Sequence, residues 1–387
     1  MCFFHIVKTK NINCCMKKKK VWFVLRRVIA GVVAVILFIF LPFVGETNNE
    51  NMSFIYNVFV GAKSKYQGIL EIWNIDTFET GKKSKTSLLT EIGNVFQKKN
   101  KGVYLMVRNV TENECLNLLK DGVMPDLFSC SYGVAEKIKD YTQPISSNCD
   151  GVAENLLTAG KVNDVQMAVP WCFGSYYLIS TQSALEKAGK VEFDSLVNIA
   201  LDCGYEKHNK KNTSVVYSLV FGMGKYLCPQ TALSSYYDKG ALKILNNSIN
   251  LGSVSGTSYS AYCRYVAGES VVLLGTQRDV IRMKNREANG KVSDVKIEPL
   301  LKFSDLVQFV FSAKNNDETK NDCKEKFISF LVQTMAQEII AESGVFSVIK
   351  TGVMQDIPFD KIGIYKVFNV FVSESEIKEL REKSIEK

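Results

Sequence analysis

The chain has 387 residues, 46% hydrophobic, 11% aromatic and 23% charged: enough for two ordinary domains and too apolar for a disordered protein. Its formal charge of +8 resides in residues 1–45, with eight basic side chains and no acid; residues 46–387 carry 40 of each sign, so the body lacks the positive field that nucleic-acid binding needs. With two histidines, His5 and His208, a multi-histidine metal site is excluded and a triad in the body could use only His208.

Basic residues from Lys17 to Arg27 precede Val28–Gly45, eighteen residues without a charge. As a helix this run is roughly 27 Å long, close to a bilayer's hydrocarbon thickness. The basic flank places residues 1–27 in the cytoplasm and residues 46–387 outside the cell. Phe43-Val44-Gly45 suits a signal peptidase poorly, and no cysteine follows for lipid attachment. The segment therefore reads as an uncleaved transmembrane signal anchor, with Met16 a natural start before the four lysines. Residues 46–66 read as a tether.

Beyond it, GILEIWNI (68–75) predicts a buried strand, and Leu88, Leu89, Ile92, Val95 and Phe96 mark one face of a helix ending at Lys98 and Lys99. VYLMVRNV (103–110) predicts a second strand. Thr111 to Glu114 form a capping box, opening a helix with Cys115, Leu118 and Leu119 inward and Gly122 past its end. DLFSCS (126–131) is a third strand. This β-α-β-α-β order implies a right-handed parallel sheet, with ligands beyond the carboxyl ends of its strands. Those ends carry Asn74, Asp76, Asn109, Ser129, Ser131 and Tyr132.

Residues 165–174 and 175–180 predict strands broken at Gly174, then a helix to about Gly189. Asp194 caps a helix that stops at Gly204. A strand over 215–222 precedes a long helical region closing at 258–269. Strands follow at 270–275 and 306–313, two helices over 317–343, and a charged helix from Ser373. Eight cysteines lie beyond the anchor (115, 130, 149, 172, 203, 228, 263 and 323). No CxxC occurs, and several lie in apolar runs, so buried free thiols are favoured over a bridge framework.

Nucleotide chemistry is unsupported: Gly222-Met223-Gly224-Lys225 lacks phosphate-loop spacing. Asp76 with Glu79 or Asp126 could pair as acid and base in a glycosidase-like site, although a cap and a solvated carboxylate explain them better. The aromatic residues say more. Trp73, Tyr132, Trp171, Phe173, Tyr176 and Tyr177 stand beside Asn, Asp, Ser and Arg, a composition suited to a sugar or similar polar organic ligand.

Several stretches, in order, resemble the extracellular solute-binding proteins of bacterial ABC importers, specifically the carbohydrate-binding group similar to maltodextrin-binding proteins. They are ILEIWNIDTFETG, FQKKNKGVYLMVRN, MPDLFSCSYG, AVPWCFGSYYLIS, YVAGESVVLLGTQRD and FISFLVQTMAQEIIAESGVFSV, covering most of residues 67–350. The resemblance implies an α/β periplasmic-binding-protein-like fold of two lobes joined by hinge crossings. Lobe I would hold 67–137 and 308–347, lobe II 138–307 and 348–387. It also implies ligand contacts from Trp73, Asn74, Asp76, Ser131, Tyr132, Trp171, Phe173, Gln277 and Arg278. Two departures are the missing lipid-anchoring cysteine and a short region after Val348. The expected function is capture of a sugar or similar polar solute by hinge closure and delivery to an ABC permease, with no cofactor, metal or catalysis. The alternatives are a membrane-attached glycan hydrolase using Asp76 and a second carboxylate, and a lectin-like surface module.

Overall fold

The computed structural model describes residues 62–190, 195–209, 217–222, 224–251 and 258–386. The anchor at 28–45 and the Asp194 cap lie outside them. In chain order the elements are β1 (Ala62–Asn74), α1 (Lys85–Lys99), β2 (Asn100–Asn109), α2 (Glu112–Lys120), β3 (Leu127–Cys130), α3 (Val134–Ile138), β4 (Thr142–Gln143) and α4 (Glu154–Ala159). A hairpin of β5 (Lys161–Val162) and β6 (Val165–Gln166) leads to β7 (Val169–Phe173) and β8 (Tyr176–Thr181). Next come α5 (Gln182–Lys187), α6 (Leu196–Asn209), β9 (Tyr217–Phe221), α7 (Pro229–Ser234), α8 (Lys239–Ser248), β10 (Ile249–Leu251), α9 (Ser258–Val266), β11 (Ser270–Thr276) and α10 (Gln277–Ala288). Last are β12 (Val295–Leu300), β13 (Val307–Ala313), α11 (Glu318–Leu331), α12 (Thr334–Glu342), α13 (Phe359–Ile362) and α14 (Glu374–Glu386).

Two sheets divide these elements. The first runs β2-β1-β3-β13-β4, with β7 also paired to β13; the second runs β10-β9-β11-β8-β12. In the first, β1 is parallel to β3, with Ile72 opposite Leu127, and β13 is antiparallel to β3. In the second, β9, β10 and β11 are parallel, while β8 and β12 form an antiparallel flank. The chain passes from one sheet to the other at Gly174–Ser175 and returns between Leu300 and Val307. Each sheet with its helices is one lobe. Strands β4 and β7, which a boundary at 137/138 assigns to lobe II, pair with β13 of the first sheet.

Local chemistry accounts for the elements that frame the cleft. Ser84 caps α1 by accepting the Ser87 N–H at 3.1 Å, and α1 buries Leu88, Leu89, Ile92 and Phe96. Phe96 meets Phe327 of α11 edge to face at 5.2 Å, so the two helices share one layer. Thr111 caps α2 through the Glu114 N–H. On α10 the capping box is complete: the Thr276 side chain caps the first turn, and Asp279 accepts the Thr276 N–H at 3.0 Å.

Several elements differ from the sequence reading, the unanticipated helix α10 among them. β1 starts at Ala62, inside the expected tether, because it is the long central strand of its half-sheet. α6 runs through Gly204 to Asn209, because one helical glycine costs only about 1 kcal/mol, which tertiary packing overrides. The long helical region resolves into α7, α8, β10 and α9. β12 was not anticipated. It carries Pro299 and two charges, and as an edge strand it can hold a residue with no N–H to donate.

All eight described cysteines are free thiols, six buried, Cys149 half-buried and Cys263 exposed. Burial pushes the Cys172 and Cys228 thiols up to about 12, which leaves them protonated and unreactive. Melting curves with and without a thiol reductant should therefore superimpose. A lower melting temperature in reductant would reveal bridges and contradict this arrangement. Native alkylation should reach Cys263 first among the eight.

Candidate ligand-binding cleft

A cleft of about 290 Å³ lies between the lobes. One wall is the segment after β1, Asp76 to Glu79; the other is Tyr176, Gly222, Gly224, Leu227, Pro229, Tyr259 and the end of β11, Leu274 to Thr276. Three strands, β1, β9 and β11, thus point their carboxyl ends at it, the position where ligands sit in open α/β sheets.

The first wall is fixed from below by Lys85, at the start of α1. Its side chain is 1% exposed. The ammonium donates to the Phe78 carbonyl at 2.5 Å, lies 3.4 Å from an Asp76 carboxylate oxygen, and stands 3.7 Å above the centre of the Phe78 ring. Burial pushes Lys85 below the usual lysine range, against the opposing pull of Asp76. Asp76 keeps 40% of its side chain exposed toward the opening.

Contacts between the lobes close the cleft on two sides. On one, Arg282 of α10 bridges buried Asp279 and Glu79, both at 2.8 Å, while its guanidinium lies 4.9 Å from the centre of the Tyr259 ring. Beside it, Gln277 accepts the Ser175 N–H at 3.2 Å and donates to the Glu79 carbonyl at 3.2 Å, and Arg278 donates to the Gly81 carbonyl. On the other side, Glu112 of α2 receives Tyr226 Oη at 2.7 Å, Lys137 Nζ at 2.7 Å and Lys225 Nζ at 3.0 Å. These donors hold the Glu112 carboxyl below the usual range despite the opposing effect of burial. Tyr226 reaches this position because Gly133, at φ 76°, presents no Cβ to its ring.

Asp305, in the return crossing, anchors the second wall from inside. It is fully buried, accepts Tyr176 Oη at 2.7 Å and the Cys228 N–H at 2.5 Å, and burial pushes its carboxyl up to about 6.

The nine residues expected to touch ligand fall into two groups. Asp76 lines the cleft, Arg278 an adjoining cavity, and Gln277 bridges the lobes at its edge. Trp73, Asn74, Ser131, Tyr132, Trp171 and Phe173 are 0–1% exposed and belong to the interior. Trp73 donates to Glu71 at 2.8 Å and packs edge to face on Phe128; Trp171 donates to Ser129 at 3.2 Å. Phe173 packs on Phe346 and Tyr365, and Tyr132 on Phe309 and Phe368. Each buried ring contributes about 1.5–3 kcal/mol of transfer free energy to the fold. Sequence reasoning did not single out Thr77, Phe78, Leu227, Tyr259 or Thr276. The paired glycines Gly222 and Gly224 after a buried strand were the available signal for part of that wall.

No family model and no curated protein sequence matches the chain. Solved structures do. An ABC substrate-binding protein from Listeria monocytogenes, in complex with cycloalternan, matches 83% of this chain and 99% of its own at 12% identity and a TM-score of 0.57. The fold is that of the two-lobed solute-binding proteins. The GacH receptor of Streptomyces glaucescens, solved with acarbose, matches 84% of this chain and 87% of its own at 12% identity and 0.54. Iron-bound HitA from Pseudomonas aeruginosa matches 82% and 99% at 13% identity and 0.54. Since partners as different as acarbose and iron are held by this fold, its ligand must be argued from the cleft. Among the described residues no group of His, Cys, Asp and Glu could hold a metal ion, and no helix is long and apolar enough to cross a membrane.

Proposed function

We propose that the chain captures a sugar or similar small polar solute in the cleft between its lobes and delivers it to an ABC permease, without altering it. In this reading it works outside the cell, anchored by residues 28–45 on a tether that ends before Ala62. The observation that carries the proposal is the cleft itself. It sits at three strand ends and draws on both lobes. A ligand bridging the two walls therefore favours the closed arrangement by as much as its contacts differ between states. A volume of about 290 Å³ is near the lower bound of small-molecule sites, roughly 300 Å³, which suits a short saccharide. Asp76, Thr77 and Thr276 supply acceptors and hydroxyls for its polar edge, and Tyr259, half exposed, supplies a ring for its C–H face.

Hydrolysis is not favoured. Asp76 and Glu79 each have a cationic partner and are 40% and 43% exposed, a solvated and paired setting rather than the apolar pocket of a glycosidase acid. The test is a thermal-shift screen of the full-length protein in detergent against short sugars, amino acids, peptides and polyamines. A ligand at ~100 times Kd adds roughly 2.7 kcal/mol of stability. Stabilisation by sugars, lost in Asp76→Ala, supports the proposal. A response to amino acids or peptides alone overturns its carbohydrate part, and product release from a glycan overturns its binding-only part.

A further inference from the structure

We infer that the solute carries an anionic group, held in a second cavity lined by Lys82, Lys83, Lys85 and Arg278 that adjoins the main cleft. This inference rests on the solute-binding reading above. The cavity is about 220 Å³ and shares Asp76 and Glu79 with the cleft, so one ligand can reach both. Its four cations face two carboxylates, but these do not cancel the field. Glu79 shares Arg282, which is not part of the cavity wall, with buried Asp279, both at 2.8 Å. Asp76 is matched by buried Lys85 at 3.4 Å, and Lys83 by Glu91 at 2.6 Å.

Lys82 and Arg278 remain. Among the described residues neither has a carboxylate partner: Lys82 is exposed, and Arg278 donates to the Gly81 carbonyl, leaving further donors on its fork. Set against the one carboxylate that Arg282 leaves over, these two cations give the cavity a net charge of about +1, which a concave site focuses, and an arginine fork suits a carboxylate, sulfate or phosphate. The sugar ring would lie in the main cleft against Tyr259, with its charged substituent beyond Asp76. The ligand class is a short saccharide bearing a uronate carboxylate, a sulfate ester or a phosphate ester.

Titration calorimetry on the full-length protein in detergent tests this. The probes are a neutral disaccharide, its uronate-bearing, sulfated and phosphorylated counterparts, and inorganic sulfate alone. One charged disaccharide should bind at least tenfold tighter than the neutral one, and whichever does names the substituent. Its advantage should shrink as salt is raised. Lys82→Gln should reduce the preference roughly three- to tenfold. Because Lys82 is exposed, that variant should fold even where Arg278→Gln does not. Neutral sugars binding as tightly as every charged counterpart would overturn the inference and leave the solute-binding proposal intact. So would a preference untouched by Lys82→Gln, or one matched by free sulfate. Failure of every saccharide to bind would bring down both.

Discussion

Replacing Asn74 with alanine should destabilise the protein by about 3–5 kcal/mol, read from its denaturant-unfolding midpoint. The side chain is fully buried and joins five neighbours. Its amide nitrogen donates toward Asp76 at 3.1 Å and toward Thr86 and Asn109 at 3.2 Å. Its carbonyl accepts Ser129 Oγ at 3.0 Å and Gln308 Nε2 at 3.5 Å. Alanine leaves a void and strands Ser129 and Gln308, both 0% exposed, short of a shared acceptor. Asn74→Asp separates this role from size alone. It preserves the shape and the acceptor but sets an oxygen against Asp76 and Asn109, so it should be about as damaging. Were Asn74 instead a ligand contact, either change would lower affinity and leave the unfolding midpoint within about 0.5 kcal/mol.

The second expected effect concerns pH. Burial pushes the Asp305 carboxyl up to about 6, from the 3.8 of an ordinary aspartate. The folded state therefore binds this proton more tightly than the unfolded chain. Stability from this group is fully present below about pH 4 and is lost as pH rises through 6. From pH 7 down to 5 it should add about 1 kcal/mol. Asp279, whose carboxyl is also raised by burial, acts with the same sign; Glu112, held low, opposes only in more acidic solution. Unfolding midpoints should rise between pH 7 and 5, and Asp305→Asn should flatten that rise. The amide should also cost about 2 kcal/mol at neutral pH, because replacing the oxygen that accepts Cys228 N–H with an NH₂ opposes two donors. A midpoint that falls steadily across this window, with the same slope in the variant, would refute the account.

The frame of the first lobe was legible because its strands and helices alternate with separate periodicities: Leu88, Leu89, Ile92 and Phe96 are buried as their spacing implies. The site was less legible, for a specific reason. Trp73 and Trp171 sit among polar residues, which suggests a sugar platform, yet those neighbours serve the rings' own indole N–H groups, through Glu71 and Ser129. A buried indole needs a polar partner, so polar company does not distinguish a cleft from a core. The opposite wall was obscured because Leu227 precedes α7, Pro229 opens it and Tyr259 stands in the first turn of α9, where a single long helical region was expected. What places them is tertiary pairing, β9 beside β11 and Asp305 beneath Cys228, which no local pattern encodes.

The tail helix has an unexpected bearing on biogenesis. Arg381 of α14 gathers the carbonyls of Gly224, Lys225 and Leu227 at 2.7, 2.7 and 2.9 Å, and α14 rests on α7 and α8. A nascent polypeptide stalled before Glu374 would already own both sheets while the Gly224–Leu227 side of the cleft stayed unfastened. If the cleft binds solute as proposed, clipping by a protease at the same point should weaken capture more than it disturbs the two sheets, so intactness of the tail, rather than abundance of the protein, is the quantity to follow in cells.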